Sequence, residues 1–126
     1  MANLDNGVIL GALGSAIVKA AGGTVTPPSG MVIATIQFGV DVTPSALVAE
    51  IPGKYFNTAH AAQSGGTHTS TDGTWPSNGL TVEEGTGGQT AADVKYTAGT
   101  TIYGRWTSCT IPGIAAGSFV IFYFGY

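Results

Sequence analysis

The chain has 126 residues, a formal net charge of −3 and 44% hydrophobic residues, but only 9% charged ones, against about 25% in an average soluble domain. That length holds one domain with an ordinary core and leaves no room for a separate catalytic module. With four Lys plus Arg in all, no cationic cluster exists to displace counterions from a nucleic-acid backbone. A chain so poor in solvated charge is expected to bury much of its surface against neighbours.

The first thirty residues hold small and aliphatic side chains, no aromatics, and close on Pro27-Pro28-Ser29-Gly30. Ile9, Leu13 and Ile17 stand at the i, i+4 spacing of a helix, with Asp5 or Asn6 to cap it and Gly22 to end it. Gly7, Gly11 and Gly14 oppose that helix at about 1 kcal/mol each, so the segment reads as an arm or a short helix that packs on a neighbouring subunit or on its own domain. It carries no basic residue before its apolar run and is too short to span a bilayer, so signal-peptide and membrane readings both fail. Synthesis in the cytoplasm is expected.

The body is expected over residues 31–126. Residues 31–40 (MVIATIQFGV) read as a buried strand and 41–44 as a turn. Residues 45–51 read as a short strand or one helical turn closed by Pro52-Gly53, and 54–62 as a further strand. Residues 63–89 collect Gly, Ser, Thr, Asn and Asp around few hydrophobes and form a long loop, with a strand only at 80–82 and with Trp75 as its anchor. Residues 91–97 read as a strand leading to the chain's last two apolar runs.

Those runs, 101–111 and 118–124, are rich in aromatic and β-branched residues and are separated by Pro112-Gly113 and Ala116-Gly117. They are expected to pair as a hairpin. Alternation puts Phe119, Ile121 and Tyr123 on one face of the second run and Val120, Phe122 and Phe124 on the other. Neither face is polar, so each needs a cover. In the first run Tyr103, Arg105 and Thr107 share one face, while Ile102, Gly104 and the core residue Trp106 share the other. Arg105, amid so apolar a run, is expected to pair with a carboxylate or stack on an aromatic ring, bridging sheets or subunits.

Few residues can support a reaction. Cys109 is a single cysteine, which excludes an internal disulfide and reads as a small core side chain. His60, His68 and Asp72 fit a metal site poorly, because ligands on a Gly-rich loop lose affinity to ordering. Adjacent Glu83 and Glu84 point to opposite sides of an extended chain and cannot flank one bond, and Gly85-Thr86-Gly87-Gly88 lacks the Lys of a phosphate loop. Tyr55, Phe56, Trp75 and Tyr96 are dispersed and read as core rather than as a sugar platform. No catalytic residue, metal or cofactor is expected.

The segment TIYGRWT at 101–107 is followed, after a turn, by FVIFYFG at 119–125. Together they resemble the closing motif of small virion proteins of tailed phages, especially cyanobacterial phages. The opening, MANLDNGVILGALGSAIVKAAGG and then TPPSGMVIATIQF, is similar to theirs as well, while 63–89 has no counterpart. The resemblance implies β-rich subunits, commonly trimers, that decorate capsids as cement proteins or form parts of fibres. Gly104, Arg105 and Trp106 carry over as motif positions alone.

The expected fold class is therefore all-β, a β-sandwich of which a jelly roll is one form, with an N-terminal arm or short helix at 1–30. The expected role is a phage virion structural protein. Foremost is a decoration (cement) protein on the capsid exterior, bound at junctions of the major capsid protein and self-associating as a homo-oligomer, in particular a trimer. The alternative is a tail-fibre or receptor-recognition domain that binds a host surface glycan. Assembly residues are expected among Ile9, Leu13, Ile17, Trp75, Tyr103, Arg105, Phe119 and Tyr123, with no nucleic acid or membrane as partner.

Overall fold

The computed structural model describes residues 13–51, 55–58 and 91–126. Among them every regular element is a strand: β1 (Ser15–Val18), β2 (Gly23–Val25), β3 (Val32–Phe38), β4 (Ala46–Ala49), β5 (Thr101–Ile111) and β6 (Val120–Gly125). The fold is all-β. Its antiparallel sheet runs β1-β6-β3-β5-β2 with β4 also on β5, and it curls until it is nearly barrel-shaped, compatible with a sandwich or barrel-like fold.

The long β5 organises the sheet because it is paired along both edges. Trp106 lies opposite Ile33 of β3 and also opposite Ala49 of β4. Further along, Cys109 lies opposite Val25 of β2 and Leu47 of β4. Strands β3 and β2 therefore follow one another along one edge of β5, and β4 holds the other.

Bulges produce the curl. Between Ile33 and Thr35 strand β3 advances two residues while β6 advances one, from Phe124 to Tyr123. Between Val48 and Ala49 strand β4 advances one while β5 advances two, from Ser108 to Trp106. Each extra residue, Ala34 and Thr107, bends its strand and reverses the side on which later side chains emerge. Ile33 points inward and so do Ile36 and Phe38. Trp106 points inward and so do Cys109 and Ile111. With Val120, Phe122, Phe124 and Leu47 these side chains fill one core.

The outer edge of β4 is covered by the segment 55–58. The Thr58 amide donates to the Leu47 carbonyl at 2.9 Å, and the Leu47 amide donates to Thr58 Oγ1 at 2.7 Å. The buried Asn57 accepts the Ala49 amide at Oδ1, and the Trp106 indole N–H donates to the Phe56 carbonyl at 2.8 Å. A side-chain amide and a hydroxyl thus complete an edge that backbone alone leaves open.

Several expectations are corrected by this arrangement. Strands β5 and β6 do not form a hairpin, because β3 lies between them and bonds to both. Residues 112–119 make a connection longer than a hairpin loop, and it packs on the 19–22 turn, where the Ile114 amide donates to the Ala20 carbonyl. The helical stripe does not reach Ile17, since the chain turns at Gly14, φ 104°, and enters β1. Residues 15–18 and 23–25, grouped by composition with the arm, belong to the same sheet as the body; residues 1–12, Ile9 among them, lie outside the described residues. Residues 91–97 contribute one bridge, Val42 to Tyr96, instead of a strand, because Asp93 takes a left-handed φ of 59° that breaks the extended run. Tyr55–Thr58 is irregular, since part of its bonding to β4 runs through side chains; the rest of the strand expected at 54–62, and that at 80–82, lie outside the described residues.

Candidate functional site

Strand alternation puts the core on one side of β1, β6, β3 and β5 and leaves an outer face with two cross-strand rows. One row runs Ser15, Tyr123, Thr35, Tyr103; the next runs Ile17, Ile121, Gln37, Thr101. No residue in either row is charged. Ile17 is 55% exposed and Tyr103 72%, while Thr35, set between Tyr123 and Tyr103, is buried beneath them. The row partners of Ile17 and Tyr103 on β6, Ile121 and Tyr123, are half-buried. The face is uncharged and mixed, with Ser15, Gln37 and Thr101 exposed among the apolar and aromatic Ile17, Ile121, Tyr123 and Tyr103, and an uncharged surface that exposes aromatic and aliphatic side chains suits an interface.

Arg105 stands beside these rows on β5. Its guanidinium forks onto Glu50, with Nε donating to Oε2 and Nη2 to Oε1, and Nη1 donates to the Tyr126 carbonyl at 2.5 Å. The hydrogen bond to Glu50 is the main reason that the guanidinium is held above its usual range. Burial opposes the shift, and the Glu50 charge and nearby Tyr55 support it. The Arg105 and Glu50 side chains stay 35% and 38% exposed, so the pair ties the end of β4 to β5 while remaining open to solvent. Backbone pairing reinforces the tie, for the Glu50 amide donates to the Arg105 carbonyl at 2.9 Å. Tyr126, 71% exposed, and Phe56, 51% exposed, complete a set of aromatic side chains on the segments that meet at this ion pair.

Phe119 does not join the face as an open anchor. Its ring lies against Gly39, where an added Cβ would collide with it, and its carbonyl accepts the Gly39 amide at 3.0 Å. It works as a cover for bare backbone at the corner after β3. Leu13 precedes β1 and is half-buried. The structure thus gathers Ile17, Tyr103, Arg105 and Tyr123 on one face and separates Phe119 from them, while Ile9 and Trp75 lie outside the described residues. Glu50 and Tyr126 were not anticipated as members of the site. Glu50 had a signal, since a carboxylate was one of the two partners expected for Arg105 and the chain has few.

Elsewhere, a groove of about 480 Å³ is lined by Thr43, Ser45, Thr58, Asp93 and Pro112 among others. Its Ser45 and Thr58 hydroxyls donate to the carbonyls of Thr110 and Leu47. Cys109 is buried, and desolvation pushes its thiol up to about 12. No group of three His, Cys, Asp or Glu able to hold a metal occurs among the described residues. His60, His68 and Asp72 lie outside them.

Comparison with known proteins finds no family model, no curated protein and no solved structure that the chain matches.

Proposed function

We propose that the chain is a structural subunit of a tailed-phage particle, a decoration protein that seats on the capsid exterior at junctions between major capsid subunits. The observation that carries this reading is the pair of uncharged rows on the outer face of β1, β6, β3 and β5, in which Ile17 and Tyr103 stand exposed, while the one charge that follows Tyr103 on this face of β5, Arg105, is neutralised by Glu50. Such a face favours a neutral protein surface over an ionic ligand, because docking there buries apolar area without stranding a charge. The resemblance of 101–107 and 119–125 to phage virion proteins supplies the kind of particle. Decoration then acts by mass action: a subunit that binds only the assembled shell stabilises it against pressure from within. Self-association as a homo-oligomer, with the trimer foremost, belongs to the same proposal.

The test is to mix purified protein with undecorated capsids and, separately, with host cells. Saturable binding to capsids, lost in Ile17→Lys, supports the proposal. Binding to cells alone overturns it in favour of a receptor-recognition role. Sedimentation of the free protein reports the oligomer.

A further inference from the structure

We propose that the exposed aromatics around the Arg105–Glu50 pair form a binding patch for neutral saccharides, a function beyond seating on a particle. The chemistry of the patch selects the ligand class. A free arginine would take a phosphate, sulfate or carboxylate, but Arg105 is already neutralised by Glu50, so an ionic ligand gains little there. The pair nevertheless retains hydrogen-bonding capacity. Among the described residues, three guanidinium N–H groups are engaged, on the two Glu50 oxygens and the Tyr126 carbonyl, and a guanidinium has five. The carboxylate oxygens keep lone pairs for donors, and both side chains are about a third exposed. A vicinal diol, with donors and acceptors side by side, matches this arrangement of one fork and one carboxylate.

The aromatic part selects the rest of the ligand. Tyr103 emerges two residues before Arg105 on the same face of β5, since Gly104 between them turns toward the Trp106 ring. Tyr126 is held at the patch by its carbonyl, and both tyrosines are more than two-thirds exposed. Exposed rings offer flat π surfaces to polarised C–H groups. A neutral ring that has one C–H-rich face and an edge of hydroxyls is a pyranose. The patch is open rather than enclosed, so the expected affinity is weak, on the order of 1 mM.

The experiment uses the full chain, titrated with uncharged gluco-, manno-, galacto- and N-acetylglucosamine oligosaccharides and, for comparison, with sialylated and sulfated ones. Saturation-transfer NMR and tyrosine fluorescence are the readouts. Binding of at least one neutral oligosaccharide is expected, weakened about tenfold by Tyr103→Ala, with far-UV circular dichroism unchanged because that ring is exposed. Arg105→Lys, which keeps the charge and loses the fork, is expected to weaken binding similarly. No transfer to any neutral sugar, binding of anionic sugars alone, or undiminished binding by Tyr103→Ala overturns the proposal. Sugar binding by Ile17→Lys, the variant expected to lose capsid binding, is measured in parallel, so that loss of the sugar site and loss of the particle role are read separately.

Discussion

The Trp106 indole lies over Gly104, two residues earlier on the same strand, so closely that a Cβ at 104 would stand 2.7 Å from the ring. The bare backbone makes room for the largest fully buried side chain in the core. Gly104→Ala is therefore expected to destabilise the fold by about 1–3 kcal/mol through overpacking. Urea denaturation would show this as a lower midpoint at unchanged slope. An unchanged midpoint would mean that the indole has room to move aside.

Asn57 is the second test of how the core is closed. Its Oδ1 accepts the Ala49 amide in a buried setting, and Asn57→Ala leaves that N–H without a partner. The expected cost is about 1–3 kcal/mol, with hydrogen exchange at the Ala49 amide accelerated beyond that of its β4 neighbours. Uniform acceleration across β4 would show that Asn57 acts on global stability alone.

The elements were more legible in the sequence than their neighbours. Composition and alternation place β3, β5 and β6 within two residues of their observed ends, because β-branched and aromatic residues between Gly and Pro turns leave few other options, while β4 was legible only as a strand or one helical turn. Alternation also separates Val120, Phe122 and Phe124 from Tyr123, but with neither face polar it does not say which set fills the core; the structure puts the first three inward. The hairpin of β5 and β6 was not legible, because pairing depends on which strand fills the space between them, and β3 competes for both edges. The strands hidden in residues 15–25 were masked by the helical spacing of Ile9, Leu13 and Ile17, a pattern that Gly14 cuts at its left-handed turn. At the site, Arg105 announced its need for a carboxylate or an aromatic ring, but which of the two, and which residue, depended on β4 lying beside β5. The bulges at Ala34 and Thr107 have no signature in composition, although they decide which later residues face the core.

Those bulges can be tested directly. Deleting Ala34 removes the extra residue and restores simple alternation in β3, with Ile33, Ile36 and Phe38 still on the core side and opposite Phe124, Phe122 and Val120 of β6. What is lost is the local bend that the bulge gives the strand. The deletion variant is therefore expected to keep cooperative thermal unfolding at a lowered midpoint, whereas Ala34→Ser, which keeps the extra residue, leaves the midpoint unchanged. Loss of the cooperative transition in the deletion variant would show that the core cannot close without the bend.

The last prediction concerns pH and rests on Cys109, which lies between Val25 and Leu47 on β5. Burial pushes its thiol from an ordinary 9.0 up to about 12 in the folded chain. Between those values the unfolded state has released its proton and the folded state has not, so unfolding is favoured as pH rises. The contribution to stability is complete below about pH 9 and is lost progressively from 9 to 12. Tyr96, raised first by its own burial and then by the Cys109 charge, acts in the same direction. Denaturation midpoints are thus expected to fall above pH 9, with a shallower fall in Cys109→Ala. At pH 8 a thiol reagent should label the native chain only as fast as it opens, so that the rate climbs with added denaturant. Rapid labelling without denaturant would mean that the thiol is reached from solvent and that the packing of β2 and β4 around it is looser than described.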